Sequence, residues 1–415
     1  MTANSTRSHD NNDGFDCLVM GAGPVGLTLA LALRHVGLST ALCGTIPTAP
    51  DGATDLRTAA LFAGSIRLLE NLGVWPHLQP YATPVAAIRI IDMTRDILRA
   101  PTQTFSGADI GEEILGYNIP NTALIDALLA RLDALAPSGN ARPLDLLGAN
   151  ITHLDVSGSS IAALAATKST PIKATLAVGA DGRRSMARRA AGITTREWDR
   201  GQAAITAHFD HALPNGQIST EIHLPEGPCT IVPLGAHRSS LVWMVKTTEA
   251  RRLADLRKQD FILELEKLFI GLIGPITNLT DRASFPLTSL IANRFAQHRV
   301  ALVGESAHAF PPIGAQGLNL GLRDVGALAD TLQQAKAAGH DIGSNAVLSQ
   351  YHTDRWSDIT VRTHAVDALN RSLSSPPLGL LRGAAMHAAG ASSHLKRFLI
   401  ERGMRPVGDW PPLMT

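Results

Sequence analysis

Several kinds of residue and segment are scarce in this sequence, and each scarcity counts against a class of function. Phe, Trp and Tyr together make up only 4% of the 415 residues, which leaves few rings on which nucleic-acid bases could stack. The 37 basic and 36 acidic side chains nearly cancel, to a formal net charge of +1. Nucleic acid is therefore not expected as a partner, because phosphate backbones attract a surplus of Lys and Arg.

Cysteine is also rare, with only Cys17, Cys43 and Cys229 in the chain. None belongs to a Cys-x-x-Cys pair, so neither a zinc site nor a disulfide framework is indicated, and no metal site is predicted. Cys17 and Cys43 fall in predicted strands and are interpreted as small buried apolar residues. This usage fits a reducing compartment, and a cytoplasmic location is the expectation.

Long apolar runs are missing as well. No run approaches the roughly 18 residues that would span a membrane. Residues 1–14 are polar and lack the apolar stretch of a signal peptide, so they are predicted to form a disordered lead. The remaining chain, in a sequence that is 45% hydrophobic, is long enough for two or three domains or for one large composite body.

The first motif present is a glycine-rich loop, Gly21-Ala22-Gly23-Pro24-Val25-Gly26. A strand at 15–20 precedes it, a helix stopped by Gly37 follows it, and a second strand is predicted at 39–43. In such a loop the first glycine allows a tight turn, the second lets the backbone approach a diphosphate, and the third lets the helix pack on the strand. This setting favours dinucleotide binding over a plain turn.

One part of the usual dinucleotide pattern is absent. A carboxylate about 20 residues further on normally holds the ribose hydroxyl. The end of the second strand here is Cys43-Gly44-Thr45, and the nearest carboxylates are Asp51 and Asp55. Either Thr45 or backbone atoms take this role, or adenosine is bound less tightly.

A second anion-binding loop lies much later in the chain, from Gly304 to Asp324. It follows an apolar strand at 299–303 and runs into a helix, so that backbone N–H groups and a positive helix end point at one place. Gly314 and Gly317 permit close approach of the backbone. Two distant loops of this kind suit one large cofactor with a central diphosphate, and FAD is the natural candidate. Since no second Gly-x-Gly-x-x-Gly occurs, no dedicated nicotinamide domain is predicted.

A third motif, Gly179-Ala180-Asp181-Gly182, ends a predicted strand and leads into an arginine-rich helix start. By itself it also fits a solvated helix start with an aspartate cap. Arg183, Arg184 and Arg188 are either phosphate contacts or a solvated basic face.

Between the motifs the pattern predicts a second domain. Short β segments at 203–209, 220–224, 230–233 and 239–245 predict an antiparallel sheet. Asp55 to Arg57 is predicted to open a helix that runs past Leu61 and ends at Gly73. The predicted division is a discontinuous cofactor domain at 15–84, 117–195 and 285–335, a sheet domain at 85–116 and 196–284, and a helical region at 336–415. A ligand site between the two bodies is expected.

The three motifs, in this order and spacing, resemble the class A flavoprotein aromatic hydroxylases over about residues 15–405. Asp181-Gly182 matches the Asp-Gly motif of that family, and 304–324 matches its second FAD motif, with Glu305 in place of the usual Asp. Further segments are similar to the UbiH/UbiF/VisC-type ubiquinone-biosynthesis hydroxylases: 55–61, 72–75, 285–287, 314–324 and 369–372. The implied fold is α/β, a discontinuous Rossmann-like FAD-binding domain with an inserted antiparallel-sheet substrate domain and C-terminal helices.

The resemblance also implies which residues bind FAD: Gly21, Gly23, Pro24, Val25, Gly26, Arg57, Asp181, Gly182, Gly304, Glu305, Pro312, Gly314, Ala315, Gln316, Gly317, Leu318 and Asn319. Of these, the loop of Pro312, Gly314, Ala315, Gln316 and Gly317 is expected beside the flavin. Arg57 has the alternative of a plain surface arginine. No catalytic acid–base residue is predicted. His208, His223, His237 and His308 lie in or near the expected cleft, but a lone histidine is more often structural.

The implied function is that of an FAD-dependent monooxygenase that uses NAD(P)H as transient reductant and molecular oxygen as co-substrate. It would hydroxylate the aromatic ring of a polyprenylated phenol or quinol in ubiquinone biosynthesis through a flavin C4a-hydroperoxide. Two alternatives stay open: a class A hydroxylase of a small soluble phenol, and a non-catalytic FAD-binding subunit of a biosynthetic complex.

The C-terminal segment raises a separate hypothesis. Residues 378–402 mix apolar side chains with Lys396, Arg397 and Arg402, a composition that can lie on an anionic membrane surface. The expected location is then peripheral, on the inner membrane surface. The alternatives are a helix packed on the body, or contact with a partner in a ubiquinone-biosynthesis complex.

Overall fold

The structure is a computed structural model that describes residues 14–47, 55–94, 100–135, 145–374, 376–406 and 408–415. The predicted disordered lead lies outside the described residues except for Gly14. The strands are β1 Phe15–Met20, β2 Thr40–Cys43, β3 Thr58–Phe62, β4 Thr83–Val85, β5 Ala87–Asp92, β6 Gln103–Ser106, β7 Gly116–Pro120, β8 Asp145–Leu147, β9 Ile151–Asp155, β10 Ile161–Ala165, β11 Ile172–Gly179, β12 Thr195–His211, β13 Ile218–Leu224, β14 Gly227–Gly235, β15 Arg238–Lys246, β16 Ile276–Leu279, β17 Ala283–Ala292, β18 Ala296–Gln297, β19 Val300–Leu302 and β20 His308–Ala309.

The α-helices are α1 Pro24–His35, α2 Ala63–Asn71, α3 Trp75–Leu78, α4 Asn121–Ala134, α5 Met186–Ala190, α6 Thr247–Asp255, α7 Lys258–Leu268, α8 Gln316–Ala337, α9 Asn345–Ser374, α10 Pro376–Ala391 and α11 Ser393–Met404. Short 3-10 helices cover Gln79–Tyr81, Gly107–Ile110, Gly304–Ser306, Ile313–Ala315 and Pro412–Met414. The segment 378–402 therefore contains parts of two helices that meet at Ser392, whose side chain caps α11.

The first sheet has a parallel centre, in the order β19-β11-β1-β2-β8. Residues 17–20 of β1 are buried, as expected of a strand with a parallel neighbour on each side. Strands β9 and β10 extend β11 on an antiparallel path. Helices α1 and α8 pack together and share one apolar core with this sheet. The glycine-rich loop thus sits at the carboxyl edge of β1, where ligands of such sheets bind.

The second sheet follows the order β20-β17-β12-β15-β14-β13-β5-β6, with β16 beside β12. One face packs on α6 and α7, where Phe261 and Leu265 meet Ile205 and Phe209. The prediction of an antiparallel sheet is correct for most pairs but wrong for one, because β5 and β13 run parallel. The strand β5 comes from a distant segment of the chain, and no hairpin constrains its direction.

The predicted helix from Asp55 to Gly73 is wrong in its first part. Residues 58–62 form β3, which pairs antiparallel with β7, and the helix α2 begins only at Ala63. The Ala-Ala-Leu run has good helix propensity, yet tertiary pairing overrides it. Arg57 therefore precedes a strand of a small sheet, β3-β7-β4. This sheet touches the second one where Asn118 Nδ2 donates to Pro233 O at 2.8 Å.

The C-terminal helices are tied to the cofactor body through buried charges. Asp358 of α9 pairs with Arg323 of α8 at 2.8 Å, and with Arg355 and Arg362 on its own helix at 2.9 and 3.0 Å. Arg355 also reaches Asp324 at 2.8 Å. This buried cluster fixes α9 against α8, the helix that opens at the second glycine loop. The domain boundaries proposed from the sequence stay a prediction.

Candidate active site

A cavity of about 990 Å³ lies between the first and second sheets. The three motifs meet around it, although they are far apart in the chain: Gly23 from the first loop, Asp181 from the end of β11 and Gly317 from the second loop all line it. The predicted residues that line it are Gly21, Gly23, Pro24, Val25, Arg57, Asp181, Gly182, Gly304, Glu305, Pro312, Gly314, Ala315, Gly317 and Leu318.

The first glycine loop presents an open helix end to the cavity. Helix α1 begins at Pro24 with Gly23 as its N-cap residue, has no side-chain cap and carries no acidic residue in its first turn. Its free N–H groups and positive dipole end are suited to an anion. A Cβ on Gly23 would have its nearest neighbour, Pro47 Cγ, at 3.9 Å. The position therefore has room beside the backbone for a ligand.

Gly44 has a steric reason to stand at the end of β2. Its φ is +159°, and a Cβ there would lie 2.6 Å from Ala22 N in the first loop. A carboxylate at this position would displace the loop. Of the two nearest acids, Asp51 lies outside the described residues, and Asp55 is bound to Arg57 at 2.8 Å. The neighbouring Thr45 lines the cavity. This position is compatible with the prediction that Thr45 contacts the ribose.

The second loop also ends in an open helix terminus. Helix α8 begins at Gln316, and its N-cap residue Ala315 has a left-handed φ of +53° and offers no side-chain cap. Gly314 before it has φ of +65°, a conformation that glycine adopts easily and alanine does not. Nothing lies within 4 Å of a Cβ built on Gly317. Such backbone strain is typical of ligand-binding loops.

Asp181 caps a helix and also lines the cavity. Its Oδ2 accepts hydrogen bonds from Met186 N at 2.6 Å and Ala187 N at 3.1 Å, so it does cap the start of α5. Its Oδ1 is buried and has no hydrogen-bond partner in the described part of the chain. A buried carboxyl oxygen without a partner is costly, so it is suited to a hydroxyl or N–H donor of a ligand in the cavity.

Two cationic side chains stand at the cavity wall. Arg57 pairs with Asp55 at 2.8 Å and lies 5.5 Å over the ring of Phe285. Its hydrogen bonds to Asp55 raise the pKa of Arg57, so the guanidinium stays charged. Arg183 reaches Glu305 at 3.5 Å, and the Glu305 side chain is 59% exposed. The substitution of Glu for the usual Asp therefore keeps a negative charge at the mouth of the cavity.

The three arginines after Asp181 separate into two groups. Arg183 and Arg184 line the cavity, and for these two residues the phosphate contact stays a prediction. Arg188 does not line it: its guanidinium is buried and donates to the carbonyl oxygens of Ser306 at 2.8 Å and Arg183 at 2.6 Å. Both interpretations of Arg188, a phosphate contact and a solvated face, are therefore wrong.

Of the four histidines named from the sequence, only His308 lines the cavity. Its Nε2 lies 2.7 Å from Asp324 Oδ2, and its ring stacks on Phe310 at 5.2 Å. Nε2 of His208 lies 2.9 Å from Leu56 O, and burial lowers the pKa of His208. His308 therefore fastens the second loop to α8, and His208 has a structural contact.

Three predicted site residues do not line the cavity: Gly26, Gln316 and Asn319. Gly26 is a packing residue, since a Cβ there would lie 1.8 Å from Gly21 O. The amide of Asn319 binds Phe62 N and Ala60 O, at 3.0 and 2.8 Å, and so joins α8 to β3. Gln316 bonds to Gly403 O and Arg362 and faces the C-terminal helices.

Sequence reasoning missed the polar side chains on the far wall of the cavity: Asn118, Thr206, Ser219, Glu221 and Thr230. They come from strands of the small sheet and of the second sheet. The available signal was the alternation in β13, where Ser219, Glu221 and His223 share one face and Ile222 belongs to the core behind the sheet. An alternating polar face in a buried strand indicates a ligand site or a second packed layer.

The residues present fit FAD. The cavity receives two uncapped helix N-termini, both without acidic residues in the first turn, as a diphosphate and an anionic ring require. Gly23, Gly182 and Gly317 leave space where side chains would stand, and Asp181 offers a buried acceptor. In the described part of the chain, no group of three or more His, Cys, Asp or Glu residues is placed to hold a metal ion.

Comparisons with known proteins agree with this geometry. Residues 15–361 match the family model described as "FAD binding domain". The chain is 34% identical to the ubiquinone hydroxylase UbiL of Rhodospirillum rubrum, over 96% of this chain and 91% of that protein. It is 30% identical to the 3-demethoxyubiquinol 3-hydroxylase of Escherichia coli, over 93% of this chain and 97% of that protein.

A solved structure shows the same fold at low sequence identity. The p-nitrophenol 4-monooxygenase PnpA of Pseudomonas putida superposes with a TM-score of 0.74 at 17% identity, over 94% of this chain and 98% of that chain. FAD as cofactor, with NAD(P)H and oxygen as co-substrates, is usual for these monooxygenases. The chain belongs to the FAD-binding domain family and, within it, to the class A flavoprotein monooxygenases of the ubiquinone-biosynthesis type.

Proposed function

We propose that this protein hydroxylates the aromatic ring of a polyprenylated phenol or quinol on the way to ubiquinone, with FAD, NAD(P)H and oxygen. The observation that supports it most directly is the convergence of Gly23, Asp181 and Gly317 on one cavity that also extends under the second sheet. Relatives whose names specify ubiquinone hydroxylation match nearly the whole chain. A cofactor site and a substrate site therefore share one enclosed space.

The residues of the chain have separable roles in this reaction. The open ends of α1 and α8 bind the negative charge of the cofactor, and Asp181 offers an acceptor to it. FAD, when bound, supplies the hydride acceptance and the oxygen activation. Ile88, Val242 and Leu287 line the cavity under the second sheet, where they exclude water and hold an aromatic ring.

The test is reconstitution of the purified protein with FAD. We expect a bound-flavin absorption spectrum, and NAD(P)H oxidation that is coupled to hydroxylation of a prenylated phenol. The same phenol without its prenyl chain is the matched substrate, and faster turnover of the unprenylated compound would favour a hydroxylase of small soluble phenols. Bound flavin without any turnover would favour a non-catalytic subunit. A protein that stays colourless with excess FAD contradicts the proposal.

We also propose that residues 378–402 contact the surface of the inner membrane, where polyprenyl substrates reside. Leu381, Phe398 and Leu399 are 68%, 51% and 41% exposed. The guanidinium of Arg402 lies 5.4 Å over the ring of Phe398, so basic and apolar groups share one surface. In the described part of the chain, no helix is long and apolar enough to cross a bilayer.

Co-sedimentation with anionic phosphatidylglycerol vesicles checks the membrane contact. Replacing Phe398 and Leu399 with Ser should weaken vesicle binding roughly fivefold or more, because the apolar anchor is lost. Ile270→Ser, which removes a residue 82% exposed elsewhere on the surface, is the control and should bind as the wild type does. Equal vesicle binding by the wild type and both variants would contradict the membrane contact and would favour contact of this surface with a partner in a biosynthetic complex.

A further inference from the structure

A row of side chains crosses the cavity face of the second sheet. The register places Glu221 of β13 beside Thr230 of β14, Thr230 beside Val242 of β15, and Val242 beside Thr206 of β12. All four residues line the cavity. Since neighbouring strands are about 4.8 Å apart, the row spans about 14 Å. It thus provides polar groups along the cavity wall that the second sheet forms.

Glu221 is the acidic member of this row and is only 8% exposed. Its Oε1 lies 2.8 Å from Nε2 of the buried His223, whereas its Oε2 receives only a long contact of 3.4 Å from Thr230 Oγ1. In the described part of the chain, no Lys or Arg forms an ion pair with Glu221. One carboxyl oxygen is therefore held in place, and the other has capacity for a further hydrogen bond.

Two other polar atoms on this wall are buried without a partner in the described part of the chain. They are Oγ1 of Thr206, a residue 5% exposed, and Oδ1 of Asn118, a residue 0% exposed. The amide nitrogen of Asn118 is held by Pro233 O at 2.8 Å, which fixes the orientation of its oxygen. Both residues line the cavity, so a ligand bound there lies close to two polar side chains that each have an unused hydrogen-bonding atom.

We infer that Glu221 accepts a hydrogen bond from a ring hydroxyl of the aromatic substrate and is a specificity-determining residue, an inference that rests on the proposed function. A phenol or quinol hydroxyl is a donor of the kind that Oε2 lacks, and the ring beside it suits the apolar residues Ile88 and Val242. A hydrogen bond from the hydroxyl to a carboxyl oxygen also increases the electron density of the ring. The ring then reacts more readily with an electrophilic oxygen donor, and the position of the hydroxyl sets the orientation of the ring.

The experiment uses the FAD-loaded protein and two probes, a geranylated phenol and its O-methyl ether. Each is titrated while the absorbance of the bound flavin is followed, and the ratio of the two dissociation constants measures recognition of the free hydroxyl. The wild type should prefer the phenol by roughly tenfold to a hundredfold, the range of a hydrogen bond to a charged group. Glu221→Gln should reduce this preference to about threefold or less, because a neutral amide can donate to the ether oxygen.

Glu226→Gln is the control variant. Glu226 lies in the turn between β13 and β14 and pairs with Lys246 at the surface, at 3.2 Å, so the variant should keep the wild-type preference. A Glu221→Gln protein that keeps the wild-type preference overturns the inference but leaves the proposed function intact, because hydroxylation of the phenol is tested separately by the reconstitution experiment. A wild type that binds neither probe overturns both.

If Glu221→Gln does not retain flavin, Glu221→Asp provides the second variant. It keeps the charge and shortens the side chain by one methylene, which withdraws the carboxyl group from the cavity. We expect the preference for the free phenol to fall roughly threefold or more. An unchanged preference in this variant also overturns the inference.

Discussion

At the residue scale, two glycines of the first loop, Gly23 and Gly26, have different surroundings. Gly26 is pressed against the strand end, since a Cβ would lie 1.8 Å from Gly21 O and 3.3 Å from Ala180 Cβ. Gly23 is not crowded by protein atoms and lines the cavity. The same motif therefore contains one glycine that packing requires and one that lines the cavity.

This difference predicts different consequences for two alanine substitutions. Gly26→Ala should fold poorly and lose FAD, because the methyl group cannot be accommodated without moving the helix. Gly23→Ala should keep the wild-type melting temperature without cofactor but bind FAD at least about tenfold more weakly. Circular dichroism melting and fluorescence titration with FAD measure the two effects.

The control for these substitutions is Gly403→Ala, at a helical glycine with nothing within 4 Å of the added Cβ. It should leave both measurements unchanged or slightly raise the melting temperature. A Gly23→Ala protein with wild-type FAD affinity would show that the diphosphate does not lie against this backbone.

At the scale of elements, the contact between α8 and α9 contains a cluster of buried charges. Asp324 and Asp358 face Arg323, Arg355 and Arg362, and His308 extends the cluster to the cavity wall. Burial raises the pKa of Asp324, but His308 and Arg355 outweigh it, so the pKa lies below its ordinary value. The N–H group of Gly304 also donates to Asp324 at 2.9 Å. The position of the second loop thus depends on how α9 is docked.

Replacing Asp358 with Asn should destabilise this contact strongly. The variant keeps the shape of the side chain but leaves the guanidiniums of Arg323, Arg355 and Arg362 without their shared carboxylate. Breaking a buried pair in this way costs roughly 3–5 kcal/mol, and we expect the melting temperature to fall by roughly 4–6 °C. Asp354→Asn, at an exposed position one turn earlier on α9, should change it by no more than about 1 °C.

The effect of this substitution should depend on pH in one direction. Burial raises the pKa of Asp358, but the three guanidiniums outweigh it and hold the pKa well below the ordinary 3.8. A carboxyl group with a lower pKa in the folded state than in the unfolded state stabilises the protein at pH values above its unfolded-state pKa. This stabilisation is lost as the pH falls through the folded-state pKa. The difference in melting temperature should therefore be constant between about pH 7 and 5 and shrink below about pH 4. A difference that grows on acidification would contradict the assignment.

At the scale of the whole molecule, segments that are far apart in the sequence enclose one cavity. On the side of the first sheet, the cavity is lined by the starts of α1 and α8 and by Asp181. Arg57 and Asn118 line it beside the small sheet, and Glu221 lines it from the second sheet. Ligand sites between bodies of this kind are common because two rigid surfaces can exclude water around a reactive centre. In the described part of the chain, no residue of the C-terminal helices lines the cavity. Helix α9 instead packs against α8.

Much of the cofactor side could be predicted from the sequence because its geometry is local. A strand, a glycine turn and a helix start are built from consecutive residues, so Gly21 to Gly26, Asp181-Gly182 and Gly314 to Gly317 indicate their shapes by themselves. Their order along the chain also predicted the family, which the comparisons confirm. Thus the motifs and the element order were determined by short-range backbone requirements.

The substrate side was decided only by the tertiary structure, because it depends on pairing between distant strands. Glu221 reaches the cavity because β13 lies between β14 and the parallel strand β5, and residues 58–62 are a strand because β7 is there to pair with them. Arg188 and Asn319 stand in motifs yet bind protein atoms far away in sequence. A side chain's partner across a sheet or between helices is set by register and packing, which no local pattern encodes.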